Sequence, residues 1–332
     1  MQPLRQHSNC SEVLMKHLFN ISIYHQPEEI RHVCSVVGAK DSFVDGLELL
    51  TGYEPVDPSL KKYVVSAHLP FSTDWYGPAT GIRRVDPNLS EDSIRYHHYG
   101  RDRKEIVETL RLAIRRANEI SPMYGVLHAS SVSIREILGT TYSDSDEKVL
   151  TTFISIMNEV VSDLPEGEPP FTLAFENTWW PGMRLLDGSM HNMLESGLEF
   201  EDWGICLDTG HILFASKRSV DEIAALNILN ECADSYSDEL LDRVIAMHLH
   251  VNTSARLIES TAISDTTGMS DDEVFTKGYS RICSIDQHRP FTDSSVKEYV
   301  ERISPEFVVH ELSSPSIPDQ IRDHICQAHL LM

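Results

Sequence analysis

The sequence predicts an α/β fold: a single (β/α)8 TIM barrel with extended loops after its strands. Three observations predict it. The chain of 332 residues lies within the size range of one such barrel. Short apolar runs alternate with amphipathic helical stretches eight times over, as a buried parallel sheet requires. The first run continues into "ISIYHQPEE", with no glycine-rich phosphate turn, which argues against an open doubly wound sheet. One domain is expected over residues 1–332, with a core from about 18 to 331.

The units follow in order. "LFNISIY" (18–24) leads into "PEEIRHVCSVV", where Pro27 suits a helix start. "FVDGLELLTG" and "KYVVSAHLPF" are the next strands, and a polar loop is expected over 72–100. "RDRKEIVETLRLAIRRANEI" has the apolar spacing of a helix. "YGVLHASSV" precedes a helix at 145–162, and "FTLAFENTWW" precedes a short helix near 187–196. "WGICLDTGHILF" (203–214) reads as one buried strand interrupted by Asp208 and His211. Helices at 219–230 and 237–243 lead to "VIAMHLHVN". A long polar stretch, about 252–285, reads as an insertion. A helix at 294–303, the strand "EFVVHELSS" and a helix at 316–331 complete the chain.

Function in such a barrel gathers where strands run out into the following loops. Polar residues interrupt the apolar runs at that end six times in succession: His68, His128, Glu176, Asp208 with His211 beyond it, His248, and Glu311. Asp286 and His288 form an Asp-x-His pair in "IDQHRPF". A bare carboxylate in an apolar setting costs several kcal/mol or more unless it is paired or binds a metal. Imidazole with carboxylate suits Zn, Mn or Fe. One histidine near a strand end is ordinarily a hydrogen-bonded structural residue; six strand ends in a row point to a metal centre.

"FENT", "CLDTGH", "AMHL" and "DQH" resemble, in order, the metal-binding segments of the endonuclease IV branch of the xylose isomerase-like barrels. The resemblance runs from about Tyr63 to Glu311 and is diffuse between motifs. It implies about three divalent ions, Zn first, with Mn or Fe as alternatives. One would be held by His68, His128 and Glu176; a second by Glu176, Asp208, His248 and Glu311; a third by His211, Asp286 and His288. It assigns catalytic roles to Glu176 and Glu311 and implies a phosphodiester hydrolase using a metal-bridging hydroxide. Four carboxylates against three divalent ions would leave +2, which favours a phosphate. Simpler isomerases and epimerases of the superfamily use one metal, held by the positions of Glu176, Asp208, His248 and Glu311.

The chain departs from the repair enzymes in the parts that would face substrate. Phe71 stands where they place a tyrosine, and 252–285 is longer than the equivalent loop. His250, on the same strand face as His248, has no assigned partner. The formal net charge of −23, from 28 Lys and Arg against 51 Asp and Glu, opposes sequence-independent binding to nucleic acid. Phe71, Trp75, Tyr76, Trp179, Trp180, His250 and Arg289 are the expected substrate contacts, an aromatic wall for a ring-bearing small-molecule phosphoester. A group of the superfamily resembling this pattern cleaves the nucleotide loop of cobamides, which such a wall would suit. Arg95, Arg101 or Arg103 is a candidate phosphate contact, and Glu48 a residue within reach of the site.

No apolar run approaches the length of a membrane span. "MQPLRQHSNCSEVL" lacks the apolar core of a signal peptide. Cys10, Cys34, Cys206, Cys232, Cys283 and Cys326 form no CxxC pair. A cytoplasmic protein with free, mostly buried thiols is expected. The sequence does not set the oligomeric state.

Overall fold

The computed structural model describes residues 15–39, 43–263 and 265–332. Eight parallel strands close a barrel in sequence order, and the last pairs with the first. They are β1 (Lys16–Ser22), β2 (Gly46–Leu50), β3 (Val64–His68), β4 (Tyr124–His128), β5 (Thr172–Glu176), β6 (Trp203–Asp208), β7 (Val244–His248) and β8 (Phe307–His310). Inside the barrel, Leu18, Tyr124, Val126, Ala174, Cys206, Ala246, Phe307 and Val309 pack together. Residues of the opposite strand faces pack against the surrounding helices in the largest cluster. Burial on both faces explains why the strands read as near-continuous apolar runs.

The helices are α1 (Pro27–Val36), α2 (Tyr76–Thr80), α3 (Glu91–His98), α4 (Arg103–Asn118), α5 (Asp146–Ser162), α6 (His191–Gly197), α7 (Thr209–Ser216), α8 (Glu222–Ala233), α9 (Asp238–Arg243), α10 (Ala255–Ser260), α11 (Asp271–Ile285), α12 (Val296–Ile303) and α13 (Ile317–Leu330). Several start on a side-chain oxygen that accepts a backbone N–H, as Asp102 does for α4 and Asp221 for α8.

Three expectations change. The run 203–214 is not one strand: β6 stops at Asp208, whose carboxylate accepts the His211 N–H at 2.6 Å and caps α7. Apolar content alone cannot separate a buried strand from a buried helix. The polar loop 72–100 contains α2 and α3. The stretch 252–285 contains α10 and α11; Ser270 and Glu273 form a capping box at the start of α11. Ile258, Val274 and Ile285 of this stretch join Val132, Ile137, Trp179, Trp180 and Phe214 in a separate apolar cluster.

Cys34, Cys206 and Cys232 are buried thiols, but Cys283 and Cys326 are exposed. Cys10 lies outside the described residues. Among the described residues no helix is long and apolar enough to cross a membrane.

Candidate metal centre

The strand register aligns the polar ends. His128 pairs with Glu176 across β4 and β5, and Asp208 pairs with His248 across β6 and β7. Each of these residues terminates its strand. Glu311 follows β8 directly, and Asp286 follows the last residue of α11. Helix α11 thus delivers Asp286 to the barrel mouth. His288 lies two residues on, with a backbone φ of 43° that non-glycine residues rarely adopt. Its carbonyl accepts the Ser313 N–H at 2.9 Å, which ties the loop to the end of β8.

These side chains converge. His68 Nε2 and His128 Nε2 each lie 3.1 Å from Glu176 Oε2. His248 Nδ1 lies 3.3 Å from Glu176 Oε1, 3.0 Å from Glu311 Oε2 and 3.7 Å from Asp208 Oδ2. Asp286 Oδ2 lies 3.6 Å from His211 Nε2 and 2.9 Å from His288 Nε2. The trio His68, His128, Glu176 and the quartet Glu176, Asp208, His248, Glu311 each offer donor atoms within 4.8 Å of one another. Glu176 belongs to both. His211, Asp286 and His288 meet only pairwise, through Asp286.

The outer nitrogens of three of these histidines have hydrogen-bond partners. Nδ1 of His68 meets the Leu69 carbonyl at 2.9 Å, Nδ1 of His211 the Asn177 carbonyl at 2.8 Å, and Nδ1 of His288 the Glu311 carbonyl at 2.9 Å. With Nδ1 donating, each could offer an unprotonated Nε2 to an ion; without one, Nε2 of His68 and of His288 donates to a carboxylate oxygen, at 3.1 and 2.9 Å. For His248 the arrangement is reversed: Nδ1 faces the carboxylates, and Nε2 lies 2.8 Å from Glu48 Oε1, at an angle short of a straight hydrogen bond. Glu48 is buried on β2 and also accepts from Ser66 Oγ at 2.8 Å. The sequence placed Glu48 only within reach of the site; the structure makes it the outer partner of His248. Asn177 is a second residue the sequence reading missed. Its amide brackets Asp208, donating to the carbonyl at 3.0 Å and accepting the N–H at 2.8 Å. Its place beside Glu176 in "FENT" was the available signal.

Burial favours the neutral form of every group here, and for all but His128 the partners override it. Burial alone would raise Glu176, yet His128 and His248 hold it well below the usual carboxylate range. Asp208 is held low by His211 and His250, and Asp286 by His288 and His211, again against burial. Burial would lower His211, yet Asp208 and Asp286 push it up to about 10. His248 and His288 are likewise raised well above normal despite burial. His68 is raised and His128 lowered, although both face Glu176; for His128 burial prevails.

Glu176 Oε1, His248 Nδ1, Asp286 Oδ1 and Glu311 Oε2 are buried without a hydrogen-bond partner. Several orphaned polar atoms in one buried cup would cost a few kcal/mol each. Divalent ions would satisfy them together, and the mixed imidazole and carboxylate donors suit Zn, Mn or Fe. The donor set therefore fits a metal centre.

A cavity of about 420 Å³ opens over the cup. Phe71, Trp179 and Trp180 line it, with Phe275, Tyr279 and Ile282 of α11. Phe71 stacks on His128, with centroids 4.7 Å apart, and Trp179 meets His211 edge-on at 4.8 Å. Among the described residues no Lys or Arg lines this cavity.

Four expected substrate contacts are not there. Trp75 and Tyr76 are buried; Trp75 Nε1 donates to the Ser130 carbonyl and the ring packs on Phe153. The loop folds into α2 and turns them inward. His250 is fully buried outside the cavity lining, and Arg289 is bound to Thr253 Oγ1 outside it. Arg101 and Arg103 pair with surface glutamates, and Arg95 sits over the Tyr53 ring. None of the three lines the cavity.

No family model matches the chain, and no curated protein matches it. Solved structures do. Endonuclease IV from Thermus thermophilus is 14% identical, with a TM-score of 0.53 over 95% of this chain and 98% of that one. A D-tagatose 3-epimerase-like protein is 16% identical, with a TM-score of 0.53 over 94% and 96%. L-ribulose 3-epimerase is 12% identical, with a TM-score of 0.51 over 96% and 92%. At these identities the shared property is the fold, a closed eight-stranded (β/α)8 barrel.

Proposed function

We propose that the chain is a metal-dependent hydrolase of a phosphodiester on a small molecule with a flat apolar group. The observation that supports this reading is the excess of donors. Glu176, Asp208, His248 and Glu311 would suffice for one ion, yet His68 and His128 flank Glu176 and the His211, Asp286, His288 group adjoins Asp208. Bound divalent ions would draw the phosphoryl oxygens and lower the pKa of water toward neutrality.

The chain's own residues supply the rest. Glu176 links the first two donor sets through its two oxygens. Glu311 lines the cavity, and whichever of its carboxylate oxygens an ion leaves free can take up the proton lost by the attacking water. Phe71 and Trp179 shield the histidine rings from bulk water. Phe71, Trp180 and the α11 residues offer faces on which a ring system can stack. With no Lys or Arg in the lining and a chain charge of −23, extended anionic DNA is poorly served. Helix α11 narrows the same mouth.

A second reading has its own support. Glu176 and Glu311 flank His248 Nδ1 at 3.3 and 3.0 Å, so two carboxylates face one small volume. Such a pair can remove and return a proton beside a carbonyl, the chemistry of an isomerase or epimerase. Two of the structures sharing the fold are epimerase-related. The test is a substrate panel with metal-loaded protein: an aryl phosphodiester, a cobamide, an abasic-site duplex, and ketohexoses in D2O. Hydrolysis of the small diesters supports the proposal. Deuterium incorporation into a ketose with the diesters untouched establishes the second reading. Salt-sensitive incision of the duplex alone restores DNA as substrate.

A further inference from the structure

His250 is fully buried, yet it belongs to no expected ligand set and does not touch the cavity. Its Nε2 lies 3.1 Å from Asp208 Oδ2. Its ring stacks on His288, with centroids 4.2 Å apart and planes 11° from parallel. Its backbone is bracketed by Thr209: the His250 N–H donates to Thr209 Oγ1 at 3.1 Å, and that hydroxyl lies 2.7 Å from the His250 carbonyl. A Cβ at Gly210 would lie 1.9 Å from His250 Cε1. Three consecutive residues of "DTGH" therefore accommodate this one ring.

We infer that His250 is a positioning residue of the metal centre: it fixes Asp208 by donating from Nε2 and backs the His288 ring, without being a ligand. The inference rests on the metal-dependent reading above. Asp208 Oδ1 already accepts the His211 N–H, so with His250 on Oδ2 both oxygens are fixed before any ion arrives. Such outer partners set ligand orientation and are worth roughly 10–100-fold in metal affinity.

The competing role is direct ligation, since His250, His288 and Glu311 also offer donors within 4.8 Å of one another. The stack opposes it. A metal lies in the plane of each imidazole that binds it, about 2.0 Å from nitrogen. Two near-parallel rings at van der Waals separation would leave a shared ion roughly 1.7 Å out of each plane, most of a bond length.

The test uses the full chain. Protein labelled with ¹⁵N-histidine is loaded with ¹¹³Cd, and the imidazole nitrogens are read by NMR. His250 Nε2 is expected to keep its proton and show no cadmium coupling; a one-bond coupling overturns the inference. Isothermal titration with Zn is then compared among wild type, His250→Phe, His250→Gln and Gly210→Ala. Phenylalanine keeps the ring and removes the donor, so one ion is expected to bind ~10–100-fold more weakly with the total count unchanged. Glutamine is expected to recover part of that loss. Gly210→Ala, which displaces the ring, should match His250→Phe. Wild-type affinity in His250→Phe, or the loss of a whole equivalent with the others unaffected, contradicts the inference. A wild-type protein that takes up no ion overturns the metal reading itself, and that outcome is read from the wild type alone.

Discussion

Two groups of largely enclosed histidines, one at the barrel mouth and one behind the barrel wall, behave in opposite ways. At the barrel mouth, His211, His248 and His288 sit among Glu176, Asp208, Asp286 and Glu311, and their pKa values are raised. Behind the barrel wall, His17 stacks on His310, and His310 packs against His324 and Gln327 of α13. There His310 Nδ1 accepts from Gln327 Nε2 at 2.7 Å, so its Nε2 donates to His17 Nδ1 at 2.9 Å. His324 Nε2 donates to the Phe43 carbonyl at 2.9 Å. Burial pushes His310 well down and His324 to about 4. The second group is a neutral, hydrogen-bonded packing device. Burial and imidazole are common to both groups; carboxylates set the mouth apart as a place for cations. His310 and Glu311 are adjacent in "VVHELS", yet one serves each group.

Substitutions that strip the mouth of carboxylate should have the largest effect. Glu176→Gln is expected to weaken both donor sets that share it, lowering ion content and reducing turnover by more than the ~100-fold upper range of an outer partner. Elemental analysis beside a rate measurement checks this; unchanged ion content would erase the distinction between the two groups. Asp286→Ala or His288→Ala should remove one ion and abolish turnover while the fold persists, because both residues lie in a loop outside the barrel wall. Full activity in either variant would remove the Asp-x-His pair from the centre. Glu48→Gln keeps the size of the side chain and removes the charge beside His248 Nε2. A ~10–100-fold loss in affinity for one ion is expected by titration calorimetry, with circular dichroism unchanged.

The smallest effect on the centre is expected at the back. His324→Gln should leave ion content and turnover as they are. Its signature is in stability against pH. The folded pKa of about 4 lies below the unfolded value near 6.5. On acidification the unfolded chain therefore takes up a proton that the folded protein refuses. Stability is lost as pH falls from about 6.5 to 4, by roughly 3 kcal/mol for this residue. Urea unfolding across that range should show a shallower decline in the variant. An equal decline would mean that His324 is not held neutral.

The barrel was legible because its strands are buried on both faces and recur at even intervals. The strand-end residues were legible for a related reason: in runs such as "VLHAS" and "LAFENT" a titratable group breaks an apolar pattern. What could not be read depended on three-dimensional neighbours. Asp208 and His211 looked like interruptions of one strand, because nothing local announces that the Asp208 carboxylate will cap a helix. Trp75 and Tyr76 were placed at the rim, since a loop sequence does not show that α2 turns them inward. Glu48 and His250 needed the barrel closure that brings the Glu48 carboxylate to His248, and the contact with Gly210. The stretch 252–285 was polar enough to pass for a loop; α11 buries Val274, Gly278, Arg281 and Ile285 at helical spacing, but a glycine and an arginine at two of the four break the apolar signal.

The central claim is that the mouth is a multi-ion centre and the back is not. Plasma mass spectrometry on protein purified without chelator, then supplemented with Zn or Mn, tests it most directly. About three equivalents are expected, falling on Asp286→Ala and unchanged on His324→Gln. A reproducible single equivalent that supplementation does not raise would contradict the account.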